Sequence, residues 1–168
     1  MQLNRLLHPE KVWLHFLLAP EEKAYELGRD LAQAAPCQVV SRLIRGRKAQ
    51  TKDGLFDESA AALQFPPYFG DNWDAYDECL TDLEWLPAEA YALWITNATR
   101  LLDSEPPEQF QTALRIWDNA AQEWGKPVTG EWARPARAFH VILQETPDKE
   151  HNLRTRLQGA KITHDILR

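Results

Sequence analysis

Four short apolar runs divide the chain, and longer segments with helical spacing lie between them. The runs at residues 12–18, 38–45, 91–97 and 138–144 are rich in branched and aromatic residues, which is typical of buried β-strands. The segments at 20–35, 51–63, 72–83 and 106–124 repeat apolar residues every three to four positions, which predicts α-helices. Strands that alternate with helices predict an α/β fold with a small parallel sheet packed with helices.

Local residues predict where three of the helices begin. Pro20 is followed by two glutamates, and proline and acidic residues both favour the first turn of a helix. We expect Tyr25 to be among the buried residues of this first helix. Asp53 is predicted to cap the second helix and Asn72 the third, because both residue types accept hydrogen bonds from free backbone N–H groups.

The two ends of the chain carry weaker patterns. The run at 12–18 contains His15 and lies between Pro9 and Pro20, and it is far shorter than the ~20 residues needed to span a bilayer. We interpret it as a strand rather than a signal peptide or a membrane span. From Pro147 onward the chain is polar and mildly basic, and both a terminal helix and a loose tail fit this pattern.

Charge is distributed unevenly along the chain. The formal net charge of −6 disfavours nucleic acid as the partner. Residues 53–99 contain ten Asp and Glu and no Lys, Arg or His, whereas the rest of the chain has 15 acidic residues against all 19 Lys and Arg. Such polarity favours a basic partner and speeds encounter with it.

Cysteine and histidine usage argues against a catalytic or metal site. Cys37 and Cys79 fit neither a disulfide framework nor metal-ligand spacing, so we expect reduced thiols in a cytoplasmic protein. The five histidines are scattered, and the chain contains no phosphate-binding loop, nucleophile elbow or dinucleotide fingerprint. We therefore expect no catalytic residue, no cofactor and no bound metal.

The predicted helix after Asn72 separates its charged and apolar residues by angle. At about 100° per residue, one face collects four carboxylates and the other collects the aromatic and aliphatic side chains. The carboxylates are those of Asp74, Asp77, Glu78 and Asp82. Solvation alone explains many charged helix faces, but this one has no compensating Lys or Arg, and Asp82 stands at the unfavourable end of the helix dipole. The pattern indicates that these carboxylates have a role other than stabilising the helix.

The residues around this helix resemble a known family. Residues 65–83 read FPPYFGDNWDAYDECLTDL, preceded by LFDESAAALQ and followed by the strand YALWITN. This order of proline, tyrosine, glycine, asparagine and acidic residues resembles the barstar family of intracellular ribonuclease inhibitors. The resemblance implies a barstar-like domain at 37–146 with three strands. An N-terminal extension at 1–36 would supply a possible fourth strand of the same domain, and a polar tail would follow at 147–168.

The resemblance also implies how the protein acts, by plugging the active site of a ribonuclease. Tyr68 would lie against the catalytic histidine of the nuclease, Asp74 would pair with an active-site arginine, and Glu78 would occupy the phosphate site. Gly70 would permit a tight turn and close approach, and Asn72 would cap the helix. The implied partner is a basic ribonuclease or nuclease-type toxin, with neither a nucleic acid nor a membrane involved.

Some positions depart from the family pattern. Asp77 stands where the family has a tryptophan, Glu78 is one methylene longer than the usual aspartate, and residues 82–85 lack the family's glycine-tryptophan pair, for which Trp85 is a partial substitute. The acidic contacts that the family makes from a later helix have no certain equivalent here. The nearest candidates are Asp118, Asn119 and Glu123. These differences leave the inhibitor interpretation intact. They put in doubt that the target is barnase, the secreted ribonuclease that barstar inhibits.

Two other functions stay open from the sequence. The first is an adaptor that kept the fold and binds a basic protein other than a nuclease. The second, weaker one is an enzyme that uses the carboxylates as a Mg²⁺ site or a glycosidase pair. Neighbouring acids on a single helix surface lack the convergence from several elements that such sites need.

Overall fold

The computed structural model describes residues 3–167 and contains one parallel sheet of five strands in the order β2-β3-β4-β1-β5. The strands are β1 Leu14–Leu18, β2 Val39–Arg45, β3 Ala90–Thr96, β4 Ala138–Glu145 and β5 His164–Ile166. The helices are α1 Glu21–Ala34, α2 Lys52–Leu63, α3 Trp73–Asp82, α4 Pro107–Trp124 and α5 Glu150–Leu157. The predicted α/β fold with a parallel sheet is confirmed.

The central strands β3 and β4 are buried along their whole length. Helices cover both faces of a parallel sheet, so its central strands need apolar side chains on both sides. The register aligns Ala90 with Ala138 and Leu93 with Val141, which holds the two strands parallel over six residue pairs. Their continuous apolar sequence therefore follows from burial on two faces.

Two hydrophobic cores lie on opposite faces of the sheet. The larger core combines α2, α3, α4 and α5 with one face of the strands, and it includes Tyr76, Phe110 and Leu143. The smaller core combines α1 and a short 3₁₀ helix at Leu3–Leu7 with the other face, including Trp94. Helix α3 therefore lies on the larger-core side, with its outer surface open to a partner.

Two local predictions were wrong, and one was confirmed. Thr51 rather than Asp53 caps α2, and its side chain accepts a hydrogen bond from the backbone N–H of Gly54. Tyr25 is 43% exposed. The buried residues of α1 are Ala24, Leu27 and Leu31, so the inward face of the helix includes Ala24 and not Tyr25. Asn72 caps α3 as predicted.

The C-terminal segment contributes more structure than the sequence indicated. It forms α5, whose Leu153 and Leu157 are buried, and then β5, which pairs in parallel with β1. The sheet consequently has five strands, one more than the largest number predicted. Strand β1 lies between β4 and β5, so segments before residue 37 and after residue 146 are neighbours in the sheet. The division at 36/37 and 146/147 stays a prediction.

None of the helices within residues 3–167 combines the length and apolarity needed to cross a membrane.

Candidate functional site

A short connection between α2 and α3 sets the position of the candidate site. Helix α2 ends at Leu63, and the next residue, Gln64, adopts the left-handed conformation. The N–H of Phe69 then donates to the carbonyl of Pro66 at 2.9 Å. Asp71 takes a second left-handed conformation, with φ of 48°. Asn72 follows in an extended conformation, and its Oδ1 accepts from the N–H of Ala75 at 2.9 Å. The chain thus reverses sharply just before α3.

Aromatic packing under this connection decides which side chains face outward. Phe69 packs edge-on against Phe56 with ring centroids 5.6 Å apart, and Trp73 packs against the same ring at 5.0 Å. Phe65 packs against Phe69 at 5.0 Å. With these three rings turned inward, Tyr68 is left 72% exposed at the tip of the loop. The packing of these rings therefore leaves Tyr68 accessible just before α3.

Helix α3 is fixed to the core by hydrogen bonds as well as by apolar contact. The Tyr76 hydroxyl is buried and lies 3.1 Å from both the Ser59 hydroxyl and the indole N–H of Trp117. The indole of Trp73 donates to Gln109 at 2.8 Å, and that of Trp124 donates to the backbone carbonyl of Leu80 at 2.8 Å. Helix α3 therefore presents its outer face from a rigid support.

The outer face of α3 carries the predicted carboxylates in two different states. Asp74, Glu78 and Asp82 are exposed, and within residues 3–167 none of them forms an ion pair. Asp77 is half-buried, and its Oδ1 accepts from the side-chain amide of Asn119 at 2.9 Å. Three carboxylates are thus available to a partner, while the fourth is tied to α4. We call Tyr68 with Asp74, Asp77, Glu78 and Asp82 the acidic face.

Tyr68 joins this face through a small cleft of about 100 Å³ that it shares with Glu78 and Asp82. The pKa of Tyr68 is raised by desolvation of its hydroxyl and by the negative charges of Asp82 and Glu84. The hydroxyl therefore stays protonated at neutral pH and can donate a hydrogen bond to a partner.

Gly70 and Asn72 shape the loop rather than carry charge. The side-chain amide of Asn72 donates to the carbonyl of Gly70 at 2.9 Å, and a Cβ at Gly70 would lie 3.1 Å from that amide nitrogen. The left-handed residue of this turn is Asp71, not Gly70. Gly70 thus matters for close packing and access, and the turn itself does not depend on its conformational freedom.

The three candidates on α4 point in different directions. Asp118 accepts from the indole N–H of Trp13 at 2.7 Å and so serves the core. Asn119 contacts Asp77, as described above. Glu123 is exposed, and within residues 3–167 its carboxylate forms one ion pair, with Lys126 at 3.1 Å. Asn119 and Glu123 border the acidic face, whereas Asp118 does not.

A larger cleft beside the acidic face was not predicted from the sequence. Its volume is about 670 Å³, and its lining includes Asp82, Glu84, Glu123 and Trp132. The side chain of Trp132 is 82% exposed. A tryptophan in a polar loop that contains Gly and Pro was the one indication the sequence offered, and no periodicity marks such a position.

The two cysteines are free thiols. Burial, together with the charges of Asp82 and Glu78, raises the pKa of Cys79, so this thiol is a poor nucleophile. Within residues 3–167, no group of three or more His, Cys, Asp or Glu side chains is placed to hold a metal ion. The chemistry of the site is that of exposed carboxylates and one phenol.

The fold and the site together define a class of protein: an α/β domain with a firmly packed helix whose exposed face is acidic and which follows a short aromatic loop. The model of the family described as Barstar (barnase inhibitor) matches residues 39–144, which is more than half of the chain. The chain therefore belongs to the barstar family, a family of inhibitors rather than catalysts. Among curated proteins, none matches the chain.

Proposed function

We propose that this protein inhibits a basic ribonuclease or nuclease-type toxin by inserting its acidic face into the active site. The observation that carries the proposal is the state of Asp74, Glu78 and Asp82. Three exposed carboxylates on a rigid helix face have no cation of their own within the described chain. A face selected for stability alone would alternate charges of opposite sign.

Carboxylates can replace the phosphates that a ribonuclease binds. Active sites that hold phosphates supply Arg, Lys and His, and arginine binds a carboxylate through two parallel hydrogen bonds. Because core contacts already fix α3, little backbone freedom is lost on binding. The acidic face is therefore preorganised as a phosphate mimic.

The proposed contacts follow the motif positions. Tyr68 lies against a catalytic histidine, Asp74 pairs with an arginine, and Glu78 enters the phosphate site. Asp82 extends the negative field, and Asp77 contributes charge while Asn119 holds it in place. Gly70 and Asn72 set the approach of the loop, which is why they belong to the partner-binding set without bearing charge.

The free thiols favour a reducing compartment, and we place the inhibitor in the cytoplasm. Inhibition is stoichiometric and needs no cofactor. Because opposite charges steer the encounter, association slows as salt rises.

The test is inhibition by the double variant Asp74→Asn, Glu78→Gln, which removes two charges and keeps side-chain shape. Each lost charge-assisted hydrogen bond costs about 1.5–3 kcal/mol, so binding should weaken roughly 10²- to 10⁴-fold. The nucleases to assay are barnase and any nuclease encoded beside this chain's gene.

The matched control is Asp53→Asn, Asp57→Asn on α2. Like Asp74 and Glu78, these two aspartates are exposed and four residues apart, and the first of them lies in the first turn of its helix. The control should inhibit like the wild-type protein. Equal inhibition by the wild-type protein and the acidic-face variant would overturn the mechanism. Binding only to a basic protein without nuclease activity would favour the adaptor.

A further inference from the structure

The loop between α4 and β4 exposes a large aromatic side chain next to the acidic face. Trp132 is 82% exposed, the highest value among the large hydrophobic residues of the described chain. Tryptophan is rarely left so open to water, and exposed aromatic groups of this kind mark interaction sites when a second feature supports them. The structure of the loop and the cleft beside it provide that support.

The loop is firmly built. Val128 and Arg134 exchange two backbone hydrogen bonds of 2.9 Å in a narrow antiparallel bridge, and Gly130 makes the turn with φ of 96°. The Arg134 guanidinium donates to four backbone carbonyls and lies 4.5 Å from the ring centre of Trp124. The donors of Arg134 are thus used within the protein, and Trp132 is held on a fixed support rather than on a flexible tip.

The cleft beside Trp132 continues the acidic face. Asp82 lines both this cleft of about 670 Å³ and the smaller cleft next to Tyr68. Glu84 and Glu123 lie on the same lining as Trp132. The two clefts therefore meet at Asp82 and together connect Tyr68 with Trp132.

The charges in this larger cleft favour a cationic occupant. Its lining has three carboxylates, those of Asp82, Glu84 and Glu123, against the two guanidinium groups of Arg134 and Arg137. Glu123 pairs with Lys126, so the carboxylates of the lining without an ion pair within residues 3–167 are those of Asp82 and Glu84. A second copy of the chain would bring acidic surfaces together, which like-charge repulsion opposes.

We propose that the docking surface extends from the acidic face across this cleft to Trp132, where the cleft takes an arginine or lysine side chain of the same basic partner. The proposal rests on the proposed function, because it assigns the partner a second contact. A guanidinium or ammonium group placed over the indole gains cation–π attraction, and the neighbouring carboxylates accept its hydrogen bonds. Trp132 acts as a rigid aromatic anchor at the edge of a charged contact.

The experiment measures the association and dissociation rates of the nuclease complexes formed by Trp132→Ala and by the control variant Tyr25→Ala. Tyr25 is also an exposed aromatic residue but lies on α1, which packs on the opposite face of the sheet. Trp132→Ala should raise the dissociation rate about tenfold or more with little change in association, as expected for loss of an aromatic anchor. Glu84→Gln, Glu123→Gln should instead slow association and flatten its salt dependence.

Folding is controlled by urea unfolding and by a conservative variant. Because Trp132 is so exposed, Trp132→Ala should unfold at the wild-type urea concentration, and Trp132→Phe should restore most of the slow dissociation. The probes are barnase and any nuclease encoded beside the gene.

The outcomes separate the two proposals. If Asp74→Asn, Glu78→Gln weakens binding and Trp132→Ala does not, the extended surface is wrong and the inhibitor function stands. If neither nuclease binds, both proposals fall. If the chain forms a dimer that Trp132→Ala disrupts, the surface serves a second copy, and the proposed occupant is wrong.

Discussion

Two groups of ionisable side chains, one on each face of the sheet, differ in whether their charges are paired. On one side, α3 exposes carboxylates that lack an ion-pair partner within the described chain. On the other side, beneath the 3₁₀ helix at Leu3–Leu7, ionisable groups are paired with one another. We call this second group, Arg5, His15, His140 and Asp165, the histidine cluster. Under the proposed function, the contrast separates charge that binds a partner from charge that stabilises the fold.

The histidine cluster links four segments by short contacts. His15 Nδ1 lies 2.5 Å from Asp165 Oδ1, and His15 Nε2 lies 2.9 Å from His140 Nδ1. His140 Nε2 donates to the backbone carbonyl of His8 at 2.9 Å, and Arg5 pairs with Asp165 at 2.8 Å. These contacts join β5, β1, β4 and the N-terminal segment, so the cluster fastens both ends of the chain to the sheet.

The comparison suggests what each region contributes. Polar groups that contact one another in a largely desolvated site are costly to disturb, because a broken contact leaves a desolvated group without a partner. Exposed like charges four residues apart on one helix repel each other slightly, so their pairing opposes folding rather than favouring it. Stability should therefore respond to changes in the histidine cluster, and binding should respond to changes in the acidic face.

The largest effect on stability should come from pH. Burial lowers the pKa of His140 to about 4 and also lowers that of His15. In the unfolded chain these imidazoles titrate near ~6.5, so the unfolded state takes up protons first as pH falls. The free energy of unfolding should be highest above pH ~6.5 and fall by about 3 kcal/mol toward pH ~4.

Urea unfolding between pH 6.5 and 4.5 measures this slope, a range chosen to keep most carboxylates ionised. The variant His140→Gln should flatten the slope, and His151→Gln, on the exposed side of α5, should leave it unchanged. An identical slope for the wild-type protein and His140→Gln would show that the histidine cluster does not set the pH dependence.

A smaller loss of stability is expected for Asp165→Ala. The change removes the carboxylate partner of the buried His15 and one of the two carboxylate partners of Arg5, which keeps Glu10. An unsatisfied buried group costs about 1–3 kcal/mol. Urea unfolding should show a loss of about 2 kcal/mol. Asp57→Ala, at an exposed position of α2, serves as the control and should stay close to the wild type. Inhibition by Asp165→Ala should match the wild type under conditions where the variant is folded. A selective loss of inhibition would break the separation of the two faces.

The smallest effect should be a gain in stability on the acidic face. Asp82 is the last residue of α3, where the helix dipole disfavours negative charge, so Asp82→Asn should raise the free energy of unfolding by about 0.5 kcal/mol. Asp74 lies in the first turn, where the dipole favours it, and Asp74→Asn should give no such gain. A loss of stability in Asp82→Asn would mean that the carboxylate contributes to the fold.

The acidic face could be predicted from the sequence because it depends on residues that are close together along the chain. The spacing of Tyr76 and Leu80 against Asp74 and Glu78 determines which side of α3 is buried, and Asn72 marks where the helix begins. The class of protein followed from this same short segment.

The histidine cluster and the last strand could not be predicted because they depend on distant pairing. Strand β5 has only three residues and little apolar character, so its position depends on contacts with β1. Asp118 was a candidate for the partner surface but bonds to Trp13, which is 105 positions away in sequence. Local periodicity carries no information on such contacts.

Amide chemical-shift mapping of the labelled protein bound to a nuclease that it inhibits tests the central claim most directly, because it reports both faces of the sheet in a single titration. We expect the shift changes to concentrate at residues 66–84 and to extend into 119–137. Residues 3–17 and 164–166, around the histidine cluster, should change little. Shift changes centred on the histidine cluster, with the α3 amides unaffected, would contradict the account.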